Sequence, residues 1–462
     1  MPADLHRSRV DFDFGEDAAA QLFGRLHCRW AQAPAAFLDS SDHARTGAGY
    51  QVGVPRRNRY SILAFCLGAA GQVVQSDNDP WQWLAQAWAG VRGDTDRPGP
   101  DEPPFQLGWV GCVGYENQGR FFRATHAVVI DHADHSAQLQ SAGEDPGWEE
   151  VVRREIREMA ALAADADAAA TPGPLARLRV RDGRADYLAK IAEAQQQIRD
   201  GNSYEVCLTT AVTGAFTGTP WQAYLRLRAR NRAPFTQYLH LPGAEDDVVI
   251  LSTSPERFMQ ITEAGTLRSE PIKGTRPRGA DAEEDARLRQ NLAEHPKDRA
   301  ENVMITDLVR NDLSIYAVPG TLRTERLCAI ETYPTVHQMV STVSARLAPD
   351  AAPTDALAAA FPPGSMTGAP KISTMEILNQ LETGTRGPYS GVAGYFSTTG
   401  ACDLSVLIRT ATLTRPCRTD APWGFHLGLG GAITADSVPE EEWQEIITKS
   451  RGVLGALGAD FP

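Results

Sequence analysis

The chain has 462 residues, a formal net charge of −13, and 42% hydrophobic against 22% charged residues, the balance of an ordinary globular protein with enough apolar content for a large core. Its acidity and the lack of any long Lys/Arg run exclude a general polyanion binder, so an anionic ligand must be captured locally. Seven cysteines, at 28, 66, 112, 207, 328, 402 and 417, are scattered and never spaced C-x-x-C, which indicates reduced thiols rather than a zinc site or a disulfide framework.

The opening MPADLHRSRVDFDFGEDAAA has neither the basic start nor the apolar stretch of a secretory signal, and no window reaches membrane-span length; a cytoplasmic location is expected. Strand-like runs follow at 60–65 (YSILAF) and 105–116 (FQLGWVGCVGYE). Pro- or Ala-rich segments interrupt the pattern at 97–104 and 161–178. The second is the better boundary, because TPGP stops the helix-favouring stretch that begins at Trp148. It divides the chain into an N-terminal portion, 1–172, and a second portion, 180–462.

Beyond that boundary, 186–199 reads as an amphipathic helix with Tyr187, Ile191 and Ile198 near one stripe, and SYEVCLTT (203–210) starts a strand. Further strands are predicted at 248–253, 391–399, 405–413 and 425–433, and helices at 282–294, 297–312, 370–382 and 439–456. These blocks lack a βαβ rhythm, so an α+β architecture with large, mostly antiparallel sheets is expected.

Three constellations can carry chemistry. In HPKDRAENVMITDLVRNDL, Asp298 and Glu301 are three apart, and Glu442 and Glu445 repeat that spacing in the last helix. Two such helix ends converging would make an oxygen cage suited to Mg²⁺; the alternative is solvated first turns that complement the helix dipole. Glycine-rich FPPGSMTGAPKIS (361–373) and GLGGAI (428–433) can bring amides to an anion or can be plain tight turns. Finally, TSPERF places Glu256 seventeen positions before Lys273 in SEPIKGTRPRG (269–279), an interval that fits a strand, a turn and a returning strand.

The Pro and Gly content of SEPIKGTRPRG suggests a shaped loop. Arg276 and Arg278 beside Lys273 would disfavour its charged form and free the amine as a nucleophile. A solvated surface lysine is the commoner alternative.

In their order, SPERF, PIKGTRPRG, DLVRNDL, FPPGSMTGAPK, YSGVAGYFS, IRTATL, GGAI and ADSVPE, between about 185 and 455, resemble the motifs of the chorismate-utilising enzymes. FLDSS (37–41) and GWVGCVGYE (108–116) extend a weaker likeness into the first portion. The resemblance implies two large, mostly antiparallel sheets packed together with helices outside, as in anthranilate synthase component I, and makes 180–462 the chorismate-binding catalytic portion.

PIKGT, and SYEVCLTT with Glu205 where water-adding members place a lysine, resemble the aminodeoxychorismate synthase component I branch. The resemblance then implies that Lys273 attacks C2 of chorismate, that Glu256 protonates the departing C4 hydroxyl, and that His337 lies beside the reacting ring. It implies Mg²⁺ on Glu301 and Glu445, with Asp298 and Glu442 completing the acidic shell. Arg409, Tyr389, Lys449 and the amides of a turn at Gly430 and Gly431 are implied to bind one substrate carboxylate, and Gly274 and Thr275 to lie close to the other carboxylate or the metal. No glutaminase segment is evident, so ammonia is expected from a separate glutamine amidotransferase subunit. Some members hold a tryptophan pocket in the N-terminal portion, where Asp39, Ser40 and Ser41 correspond. Anthranilate synthase component I, or a non-catalytic chorismate-binding subunit, are the competing assignments.

Overall fold

The computed structural model describes residues 5–41, 59–68, 73–92, 102–161, 173–333, 336–417 and 419–462. The fold is α+β; among the described residues it has one 12-stranded and one 10-stranded sheet, and the strands pair antiparallel. No helix among the described residues is long and apolar enough to cross a membrane.

Strand composition dictates the layering. Ala35–Asp39, Phe235–Pro242 and Asp246–Ser254 of the larger sheet are almost wholly buried runs, which requires cover on both faces. Phe37, Leu63, Val249 and Leu251 pack under helices that include Ala18–Arg29, Arg184–Arg199, Pro220–Arg230 and Pro439–Ala456. The alternating residues Ala36, Leu38, Leu239 and Ile250 meet Val110, Phe122, Ala393 and Tyr395 of the smaller sheet. On that sheet's far side, Val113, Phe121, Leu267 and Val343 pack against helices Pro80–Ala89, Pro296–Ser314 and Pro353–Ala360. The order is therefore helices, sheet, sheet, helices, with each fully buried aliphatic or aromatic side chain contributing about 1.5–3 kcal/mol.

Strands from both sides of 162–172 enter both sheets. Ala35–Asp39 pairs with Phe235–Pro242 in the larger, and Gly108–Val113 with Val392–Ser397 in the smaller. The expected boundary itself lies outside the described residues.

Helices form at Arg184–Arg199, Ala282–Glu294, Pro296–Ser314, Lys371–Leu381 and Pro439–Ala456. Their starts are set locally: Asp281 accepts the amides of Glu283 and Glu284, and Pro296 and Pro439 take first-turn positions, where a missing N–H costs nothing. The strand predicted at 425–433 is Trp423–Ile433.

Three expectations are corrected. The run 405–413 is not one strand but the end of Cys402–Val406 in the smaller sheet and the start of Thr410–Pro416 in the larger. The chain changes sheet between them, with Arg409 at φ 50°, a left-handed conformation that ends strand pairing. SEPIKGTRPRG is not a loop throughout, because Ile272–Pro277 is an edge strand of the smaller sheet. Its prolines lie at Pro271, before it, and at its last residue, where an edge tolerates them. GLGG is not a turn; it continues the strand Trp423–Ile433.

Candidate active site

The interval between Glu256 and Lys273 folds as a hairpin, Arg257–Ile261 against Thr266–Glu270, with Arg257 opposite Glu270. Arg257 fixes its base through Glu270 at 2.5 Å and both oxygens of Asp403 at 2.9 Å. Pro271 then leads into the edge strand that carries Lys273. Glu256 is 5% exposed and the Lys273 side chain 13%, so neither is a surface group. Burial pushes the Glu256 carboxyl up to about 7, opposed by the Ser365 hydroxyl and the nearby Lys273 ammonium. A carboxyl in that range can hold a proton near neutrality and release it to a leaving oxygen. Ser365, Asp312, Ile305 and Val309 line a small cavity beside it.

Lys273 is held otherwise than expected. Its Nζ donates to Glu205 Oε1 at 2.7 Å, and Glu205 is completely buried. Burial alone would lower the lysine pKa, but Glu205 foremost, with Cys207 and Glu301, outweighs burial and holds it above the ordinary lysine range. Arg276 and Arg278 do not free the amine, because each has its own carboxylate. Arg276 donates to Asp298 at 2.8 Å and to Asn291 at 2.9 Å. Arg278 grips both oxygens of Asp285 at 2.7 and 2.9 Å and donates to the Tyr333 carbonyl. Paired guanidiniums exert little repulsion on a third cation.

The helix carboxylates approach one another without forming a closed cage. Lys297 Nζ lies 3.9 Å from Glu301 Oε1 and 4.0 Å from Glu442 Oε1, so carboxylates from two helices share one ammonium. Asp298 is held by Arg276 and, at 3.0 Å, by His295. Glu445 pairs with Lys449 at 2.6 Å. Among the described residues no three His, Cys, Asp or Glu side chains are gathered as a ready metal site. Burial raises the Glu301 carboxyl to about 6, with Lys273 and Lys297 opposing. Burial also raises Glu442, whereas at Glu445 Lys449 outweighs burial and lowers it. Glu301 and Glu442 bring carboxylate oxygens from two helices beside one ammonium, the donor chemistry that a hard cation takes together with water and substrate oxygens.

Arg409 is exposed at the sheet crossing, and no described group pairs with its guanidinium; enough protein surrounds it for burial to lower its pKa. It is ready for a carboxylate fork. Tyr389, 6% exposed, lies across Gly428, whose Cβ, if present, would fall 2.1 Å from the ring Cγ. Lys449 donates to the Gly430 carbonyl at 2.8 Å as well as to Glu445. Gly430 and Gly431 face Thr209 and Leu208 across the strand pair, and a Gly431 Cβ would come within 3.1 Å of Glu442 Oε2. Gly274, at φ 89°, lies against Leu292 and Asp298, and Thr275 next to it is exposed. His337 is fully buried, with Nδ1 2.9 Å from Thr332 and Nε2 3.0 Å from Asp285. Both ring nitrogens are satisfied by the protein, so it steadies the Asp285–Arg278 pair.

Asp39 is bonded to Arg228 at 2.6 Å and to Ser61 at 3.2 Å, and Ser40 to the Tyr60 carbonyl. Asp39 and Ser40, with Phe235, Arg257 and Asp403, line a cavity of about 150 Å³. Ser41 is buried and exchanges hydrogen bonds with Ala233.

Sequence reasoning read Glu205 only as the absence of a lysine and passed over Lys297 and Arg386. Arg386, 1% exposed, donates to Glu382, Ser390 and the carbonyls of Met366 and Cys207. It ties the FPPGSMTGAPK turn, the Glu205 strand and the Tyr389 segment into one unit. The one signal for it was its place just before the YSG motif.

Residues 51–455 match the chorismate binding enzyme family, and the chain belongs to that family. An aminodeoxychorismate synthase component 1 from Escherichia coli (strain K12) is 34% identical over 472 residues, covering 96% of each chain. An aminodeoxychorismate synthase from Streptomyces griseus is 42% identical over 82% of this chain, which spans only 54% of that relative's length. Among solved structures, anthranilate synthase component I from Streptococcus pneumoniae TIGR4 superposes with a TM-score of 0.68 at 26% identity, covering 88% of this chain and 94% of that one.

Proposed function

We propose that this chain converts chorismate and ammonia to 4-amino-4-deoxychorismate, with ammonia delivered by a separate glutamine amidotransferase subunit. The observation that carries this reading is the buried pair: a carboxyl, Glu256, with a pKa near 7, in the field of a buried lysine, Lys273. The names of relatives such as the Escherichia coli component 1 support both the reaction and a partner component.

In this reading the neutral Lys273 amine forms a bond to C2 of chorismate. Both ring double bonds shift by one position, the C4–O bond breaks, and the Glu256 proton leaves with the oxygen as water. Ammonia then bonds to C4, the C2–N bond breaks, and the surplus proton of the new amine recharges Glu256. Net consumption is one chorismate and one ammonia, and net release is one product and one water. Arg409 orients a substrate carboxylate, and Tyr389 bounds that end of the cleft. Mg²⁺, when bound, would neutralise the ring carboxylate, with Glu301 and Glu445 as its holders and Glu442 and Asp298 beside them.

The test is product identification from chorismate, Mg²⁺ and ammonium. The expected product is 4-amino-4-deoxychorismate without pyruvate. Anthranilate with pyruvate would instead assign the chain to the anthranilate synthase branch, and no turnover at saturating ammonia would leave it a chorismate-binding subunit.

A further inference from the structure

The Lys273–Glu205 contact poses a chemical difficulty that holds its own answer. A nucleophilic amine must be neutral, yet Lys273 is held as an ammonium by a carboxylate 2.7 Å away. Five groups act on that ammonium: Glu205 and Cys207 from the strand Glu205–Phe216, Glu301 from the helix Pro296–Ser314, Glu445 from the last helix, and Glu256. Among the described residues, only Glu205 makes a hydrogen bond with it. Glu256 is occupied with delivering a proton to oxygen, the opposite direction of transfer.

Glu205 is also built unlike a structural partner. It is 0% exposed, and its second oxygen, Oε2, is buried with no hydrogen-bond partner among the described residues. A buried ion pair that serves stability alone satisfies the remaining lone pairs, because an idle charged oxygen in a dry interior is costly. That cost falls when the carboxylate becomes a neutral acid.

We infer that Glu205 is the base of this site: it takes the proton of the Lys273 ammonium as the amine attacks, and returns it when the amine is expelled. This deepens the proposed reaction and rests on Lys273 being its nucleophile. The transfer balances: one N–H bond breaks and one O–H bond forms, opposite charges cancel within the pair, and the step reverses in the second half-reaction. Substrate drives it. A ring seated over Lys273 removes water from the 13% of the side chain still exposed, which weakens the ion pair more than the neutral pair.

The experiment compares wild type, Glu205→Gln and Lys273→Met between pH 7 and 9 with chorismate, Mg²⁺ and a fixed concentration of free ammonia. Without its base, the lysine waits on solvent for deprotonation. The ratio of wild-type to E205Q kcat should be about 100-fold or more at pH 7 and shrink roughly tenfold per pH unit as neutral amine accumulates. The chorismate KM should stay within about threefold. Taking the ratio cancels the titration of Glu256, which both enzymes share. A ratio near one at pH 7, or a loss that is the same at every pH, overturns the inference. Should E205Q not fold, Glu205→Ala with added formate decides: restored turnover supports the base, and no restoration overturns it. Turnover by K273M at the wild-type rate would instead remove the nucleophile on which the inference rests.

Discussion

Replacing Glu256 with Gln keeps the shape of the side chain and removes its titration. In the folded protein the carboxyl is shifted from 4.5 to about 7, with burial as the leading cause. The difference, about 2.5 at about 1.4 kcal/mol each, gives an upper bound of about 3.5 kcal/mol for keeping the anion buried. The sign follows from proton binding. Between pH 4.5 and 7 the unfolded chain ionises Glu256 and the folded chain does not, so wild-type stability falls as pH rises through that window and the deficit is constant above it. Below pH 4.5 both states hold the proton and the deficit vanishes. Urea unfolding at pH 5 and pH 8 should therefore find Glu256→Gln little different at pH 5 and up to about 3.5 kcal/mol more stable at pH 8, while turnover drops by about 10²–10⁴-fold. A variant that tracks wild-type stability at both pH values, or is less stable at pH 8, would refute the claim that the protein carries a buried, destabilising acid for its chemistry.

Lys273→Met should abolish amination, leave calorimetric chorismate binding in place, and destabilise the fold by about 3–5 kcal/mol by leaving Glu205 charged and alone. Adding Glu205→Met should recover most of that loss, and a double variant no better than K273M would contradict the buried-pair account. Arg409→Met should raise the chorismate KM by about 10- to 100-fold, the worth of a charge-assisted hydrogen bond, with a smaller change in kcat; an unchanged KM would remove Arg409 from the substrate site. Gly428→Ala places a methyl 2.1 Å from the Tyr389 ring and should cost about 1–3 kcal/mol in urea unfolding; Tyr389→Ala in the same chain should relieve it. Chelating Mg²⁺ should stop turnover. Lys297→Gln should tighten Mg²⁺ binding measured calorimetrically without substrate, because the ammonium competes for Glu301 and Glu442, and weaker binding would refute that competition.

Local signals in the sequence were read well where the local physics decides. Pro296, Pro439 and the Asp281 cap fix helix starts from within a few residues, and the apolar runs of the central strands leave no face for solvent. The hairpin between Glu256 and Lys273 was legible from its length. The break at 407–409 was not, because SVLIRTATL is apolar and β-branched throughout, and only the two-sheet architecture requires the chain to cross at Arg409. The charges of SEPIKGTRPRG were misjudged for the same reason. Proximity along the chain suggested mutual repulsion, but Asp298 and Asp285, which neutralise the arginines, arrive from helices more than one turn away in sequence. Glu205 meets Lys273 across 68 positions, a distance over which spacing carries no information.

The central claim is that Lys273 bonds to substrate. Enzyme incubated with chorismate and Mg²⁺ in the absence of ammonia, then digested and mapped by mass spectrometry, should carry a dehydrated substrate adduct on the peptide containing Lys273, and a brief pulse of ammonium should discharge it as aminated product. Rapid product formation from an enzyme that never carries that adduct would contradict the account.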